Sequence, residues 1–294
     1  MSGGRLRGIW GGLGGLLLAT ALMLTSCSTG GDGSDRVKVV VSILPLAEFV
    51  ENVGREKVSV TVMVPPGASP HTYEPSPSQL VEVSQARMFV KAGSGVGFEL
   101  AWMDKIIGVN KRMLVVDSSR GIGLRKMEPH HGRARDPHIW LSPLNARIMV
   151  QNICEGLIQV DPGNKDRYLQ NKEGYIRKLE ALDKDIREGL SGIESRRFMV
   201  FHPAWGYFAA EYDLIQMPIE IEGKEPSPQD MAKLIKQAKE NGIKAVFASP
   251  QFNPQSAQAI AREIGGRVVL IDPLAKDYIA NLRLVLSKLV QAMR

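Results

Sequence analysis

Residues 164–193 read NKDRYLQNKEGYIRKLEALDKDIREGLSGI. Tyr168, Tyr175, Ile176, Leu179, Leu182, Ile186, Leu190 and Ile193 recur every three to four residues, and charged side chains fill the remaining positions. That spacing gathers the apolar groups on one stripe of an α-helix. At a rise of ~1.5 Å per residue the helix is roughly 45 Å long. It stands between two sets of strand-like runs, and this position is what makes it a brace for two lobes rather than a surface helix of one.

Working outward, short β-branched runs alternate with helical patterns on both sides. Strands are predicted at Val37–Ile43, Val58–Val64, Met88–Ala92 and Met113–Asp117, with helices at Pro45–Gly54, Pro77–Ala86 and Phe98–Ile107. Beyond the long helix the rhythm resumes with strands near Phe198–Phe201, Leu214–Ile219, Ala245–Ala248 and Arg267–Ile271. Ser227-Pro228 and Asn253-Pro254 each place a capping side chain before a first-turn proline. Such alternation predicts an α/β fold of two lobes, each a four-stranded, mainly parallel sheet flanked by helices. The expected division is an N-terminal lobe over 37–162, the linking helix over 163–193 and a C-terminal lobe over 194–294.

The first 26 residues stand apart from this pattern. Arg5 and Arg7 precede a Leu/Gly/Ala stretch from Gly8 to Leu24, the layout of an export signal peptide. Gly11, Gly12, Gly14 and Gly15 lie inside the run and argue against an uncleaved spanning helix. The run closes on Leu24-Thr25-Ser26-Cys27, which resembles the lipobox of bacterial lipoproteins, where the cysteine carries lipid. Residues 27–36 are rich in Gly, Ser and Asp and read as a flexible tether. A lipid-anchored extracytoplasmic protein, at a cell surface or in a periplasm, is expected. No later apolar stretch approaches the ~18 residues that a membrane helix needs.

The formal charge of +6 includes two positives of the leader, and no Lys/Arg block or aromatic ladder appears in the body. Nucleic acid is therefore excluded as the expected partner. With Cys27 assigned to lipid, Cys154 has no intrachain partner. Between Ile153 and Leu157 on a helical stretch, it reads as a small buried hydrophobe rather than a reactive thiol.

Chemistry concentrates in histidines. His71, His138 and His202 each adjoin a proline in a loop, and His71 and His202 follow apolar runs, as Asp272 follows Val268–Ile271. Four prolines between Pro65 and Pro75 restrict the backbone around His71 before any ligand arrives. In open α/β sheets ligands bind beyond the carboxyl ends of the strands. Three imidazoles and a carboxylate, two from each predicted lobe, make a candidate cage for a borderline transition metal. Taken alone, each histidine reads more often as a hydrogen-bonded structural residue than as a ligand, and the aspartate as a common turn or cap former.

Other motifs carry less. Gly93-Ser94-Gly95-Val96-Gly97 follows a strand but lacks GxGxxG spacing and a P-loop Lys-Ser pair, so it reads as a strand-to-helix turn. Tyr73, Trp140, Trp205 and Tyr207 flank the histidines and are expected to pack around them. Neither HExxH nor GxSxG occurs.

The segments Pro65–Ser78, Asp136–Pro143, Phe201–Phe208 and Ile271–Leu282 together resemble the signature segments of the zinc/manganese solute-binding lipoproteins of ATP-binding-cassette importers, also called cluster A-I. The resemblance runs over nearly the whole chain beyond the leader. It implies a non-enzymatic, monomeric receptor that delivers metal to a membrane permease, with His71, His138, His202 and Asp272 as ligands. Family members that favour zinc have histidine at the third position, whereas manganese members usually have glutamate. His202 thus points to Zn²⁺, with Mn²⁺ or Fe²⁺ as the alternatives. Many zinc members also carry a long acidic, His-rich loop. Here Gly121–Arg135 holds only His130 and His131, an auxiliary metal site at most, among Arg125, Lys126, Arg133 and Arg135, whose charge repels cations.

Two rival classes make different demands. A zinc hydrolase keeps one metal position for water and needs a nearby base, for which Glu74, Glu220 and Glu222 are the candidates. A surface adhesin needs a host ligand that binds without metal.

Overall fold

The computed structural model describes residues 36–127, 135–220 and 225–293. Two four-stranded, fully parallel sheets form the two lobes. The first has the order β2-β1-β3-β4, from β1 (Val37–Val41), β2 (Val58–Val62), β3 (Met88–Lys91) and β4 (Leu114–Asp117). The second repeats it as β6-β5-β7-β8, from β5 (Arg197–Val200), β6 (Ile215–Pro218), β7 (Ala245–Ala248) and β8 (Arg267–Leu270). Both orders reverse direction beside their first strand, and that reversal opens a crevice at the strands' carboxyl ends.

Helices α1 (Leu44–Gly54), α2 (Pro77–Gln85), α3 (Gly97–Val109) and α4 (Pro143–Val160) flank the first sheet, and α6 (Gly206–Glu211), α7 (Pro228–Glu240), α8 (Gln255–Glu263) and α9 (Tyr278–Met293) the second. The long helix, α5, spans Lys165–Leu190. It is shorter than its apolar stripe suggested, because Pro162–Asn164 forms a separate 3₁₀ turn and the chain leaves the helix before Gly192. Its buried apolar residues Tyr168, Tyr175, Leu179, Leu182, Ile186 and Leu190 all belong to the predicted stripe, and Lys172 is buried beside them. They pack on α1 and α4 of the first lobe and α9 of the second, so α5 braces both.

The second sheet is covered on both faces. Phe198, Val200, Ala245 and Phe247 join the main core, which continues through α5 and α9 into the first lobe. Their sequence neighbours Met199, Val246 and Ala248 point the other way, into a smaller core beneath α7 and α8. That is the period-two alternation of strands buried on both sides. Side-chain oxygens fix the helix starts: Ser76 and Gln79 form a reciprocal capping box on α2, and Ser142 and Ser227 accept from Asn145 and Asp230 amides. At α8 the helix begins at Gln255, one residue later than expected, with Asn253 Oδ1 accepting from the Gln255 amide.

Cys154 is buried on α4 and unpaired among the described residues, and burial pushes its thiol pKa up to about 11. It is the inert packing group expected. The Gly93–Gly97 stretch is a turn, with Gly93 and Gly95 at φ +77° and +102° leading directly into α3. No helix among the described residues is long and apolar enough to cross a membrane. The signal segment, Cys27, His130 and His131 lie outside the described residues.

Candidate metal centre

His71, His138 and His202 converge: one ring nitrogen from each lies within 4.8 Å of the other two. The parallel sheets explain the meeting. His71 sits in the loop between β2 and α2, at the carboxyl edge of the first sheet. Gln79 ties that loop down, accepting from Tyr73 Oη at 2.8 Å and donating to the Val62 and Met63 carbonyls. At Gly97 an added Cβ would lie 3.3 Å from the His71 Cα, so the start of α3 presses closely on the same loop.

His138 and His202 are buried, 6% and 7% exposed, and each is held by a carboxylate through Nδ1. Asp136 Oδ1 lies 2.8 Å from His138 Nδ1 and also accepts the His138 amide at 2.9 Å. Glu220 Oε2 lies 2.9 Å from His202 Nδ1. A carboxylate there requires the proton to sit on Nδ1, which leaves the Nε2 lone pair free for a metal. The two Nε2 atoms stand 3.3 Å apart. Two unprotonated ring nitrogens this close repel unless a cation lies between them. Tetrahedral Zn–N bonds of about 2.0–2.1 Å place neighbouring ligand nitrogens about 3.3–3.4 Å apart, so the spacing fits such an ion.

Phe252 stacks on the His202 ring, centroids 4.6 Å apart and planes 26° from parallel. The preceding residue, Gln251, donates from Nε2 to Asp272 Oδ1 at 2.8 Å, and the Leu274 amide donates to the same oxygen at 2.8 Å. The loop after β7 thus holds both C-terminal candidates while offering no ligand itself. Asp272 follows β8, is half-buried, and stands outside the three-histidine group. Its Oδ2 is the oxygen that neither Gln251 nor Leu274 engages.

In the sequence alone Glu220 reads only as a possible hydrolytic base, and Asp136 carries no evident role. The register reveals the first: Val200 pairs with Pro218, so His202 and Glu220, each two residues further on, emerge side by side. Asp136 stands two residues before His138, a spacing that could have flagged it. Across the lobe boundary, an added Cβ on Gly206 would clash with Asp136 Oδ2, so glycine here lets α6 approach this carboxylate. Of the other proposed bases, Glu74 is exposed on the His71 loop and Glu222 lies outside the described residues.

His71, unlike the other two histidines, is exposed to solvent. Partial loss of hydration, with His202 and His138 close by, nevertheless pulls its pKa down to about 4. Burial likewise lowers that of His202, against the opposing pull of Glu220. His71 therefore stays neutral well below the usual histidine range and His202 is shifted in the same direction, and neutral imidazole is the ligating form. As far as His71 and His202 set it, metal affinity should hold through about pH 6.5, where an ordinary histidine is half protonated, and fall as pH approaches the lowered His71 value. Competition titrations across that range check this. A loss that already begins near pH 7 contradicts it.

The family model described as "Zinc-uptake complex component A periplasmic" (ZnuA) matches residues 39–292. The chain belongs to this family. It is 32% identical over 284 residues to the high-affinity zinc uptake system protein ZnuA of Bacillus subtilis, covering 90% of this chain and 88% of that protein. The crystal structure of a ZnuA deletion mutant with zinc bound superposes at TM-score 0.84 with 42% identity, over 88% of this chain and 98% of the other. The laminin-binding protein Lmb of Streptococcus agalactiae, described as both adhesin and metal transporter, superposes at 0.79 with 27% identity, over 88% and 100% of the two chains. The two-lobed architecture expected from the sequence is thus the architecture of this family.

Proposed function

We propose that the protein is an extracytoplasmic zinc receptor that captures Zn²⁺ between its lobes and delivers it to the permease of an ATP-binding-cassette importer. One observation carries this reading: two carboxylate-held imidazoles bring their Nε2 atoms within 3.3 Å of each other, with a third imidazole alongside. Family membership and the zinc-bound relative support the same reading. Asp272 completes the shell through Oδ2, giving a closed set of three nitrogens and one oxygen with no coordination position for water. Closed sets hold a metal, whereas catalytic zinc keeps a position open. Glu220, engaged with His202, does not serve as a hydrolytic base. A lipid on Cys27 keeps the receptor at the membrane.

Elemental analysis of protein purified without chelator, followed by Zn²⁺ against Mn²⁺ competition, tests the reading. One equivalent of zinc, held in preference to manganese, is expected; a metal-free or manganese-preferring protein refutes it. Exchanging His202→Glu supplies a harder oxygen ligand, which Mn²⁺ prefers. The Zn/Mn affinity ratio should fall about tenfold or more, taking one imidazole-for-carboxylate exchange as the whole change. An unaltered ratio counts against selection by ligand hardness.

A further inference from the structure

We infer that Trp140 is a cross-lobe positioning residue that holds the two halves of the metal site together and slows metal release. The inference rests on the zinc-receptor reading and adds to it a residue that is not itself a ligand. Trp140 is 1% exposed, and its indole meets the His138 ring edge-on, centroids 5.4 Å apart at 64°. Its Nε1–H crosses between the lobes and donates to the Pro273 carbonyl at 2.7 Å. Pro273 directly follows Asp272. One indole therefore packs on a candidate ligand of the first lobe and bonds the backbone beside a candidate ligand of the second.

Neighbouring contacts show why this bond matters. The segment from Asp272 to Tyr278 joins β8 to α9 and is gripped by the first lobe along its length. Trp140 holds it at Pro273, Glu51 pairs with Lys276 at 2.8 Å, and Glu48 accepts the Tyr278 amide that begins α9. The Lys276–Glu51 pair is exposed and contributes little. The Trp140 bond is buried, so separating the lobes leaves both the indole N–H and a carbonyl without partners until water reaches them. Metal release that requires the Asp272 segment to move away from His138 must first break this bond.

The test replaces Trp140→Phe in the full chain, which keeps an aromatic ring beside His138 and removes only the donor. Zinc binding by the wild type is established first; if the wild type takes up no zinc, the receptor reading fails, separately from this inference. Zinc dissociation into excess chelator should then be about tenfold faster in the variant, the effect of one unpaired buried carbonyl. The zinc-loaded form should also lose more thermal stability than the metal-free form. A dissociation rate within threefold of the wild type, or equal losses of stability in the two forms, overturns the inference and makes Trp140 a packing residue only. If the variant does not fold, exchange of the wild-type Trp140 indole proton gives the answer. Zinc should slow that exchange, and equal exchange in both forms overturns the inference.

Discussion

Alanine at position 202 should reduce zinc affinity roughly a thousandfold while leaving the two-lobed fold intact. Losing a partner outside the ligand shell typically lowers metal affinity ~10–100-fold. His202 is nearer than that: it is the buried member whose Nε2 faces His138, and its ring is fixed on two sides by Glu220 and Phe252. Its removal also strips the buried Glu220 of its imidazole partner. Competition titration measures the affinity, and circular dichroism with size-exclusion elution checks the fold. Affinity within tenfold of the wild type would remove His202 from the ligand shell.

Asp272→Ala should weaken binding roughly a hundredfold, for a different reason. Asp272 stands outside the three-histidine group, with one oxygen secured by Gln251 and Leu274. Its contribution is charge and closure: it is the one anion in the proposed shell, and without it water occupies the fourth position. X-ray absorption of the zinc-loaded variant should therefore show an added light-atom ligand in place of the carboxylate. Unchanged affinity, with water already bound in the wild type, would make the site a three-histidine centre and return weight to hydrolytic chemistry.

Much of this molecule is legible in its sequence because the relevant signals are periodic or local. The stripe from Tyr168 to Leu190 announces α5, and the eight strands lie where β-branched runs end in loops. The capping serines 76, 142 and 227 act within three residues of themselves. What escapes a linear reading depends on register and tertiary approach. Glu220 becomes visible only once β5 and β6 are paired, since eighteen positions separate it from His202. Phe252 and Gln251 lie on a loop without ligands, and their importance is in what they touch. The Trp140–Pro273 bond joins positions 133 residues apart, which no local pattern encodes. Even the ends of α5 and the start of α8 moved by a few residues, because a 3₁₀ turn and a proline-led turn compete with the helix at its margins.

Gly206 has a consequence for how affinity could be tuned. It opens α6, four residues beyond His202, and its missing methyl leaves room for the oxygen of Asp136. A side chain grafted onto this one carbon would act as a wedge driven between the jaws of a clamp, disturbing His138 through its carboxylate without touching any ligand. Graded bulk at a single exchangeable point offers a dial from tight sequestration to rapid turnover, with every metal-binding atom left in place.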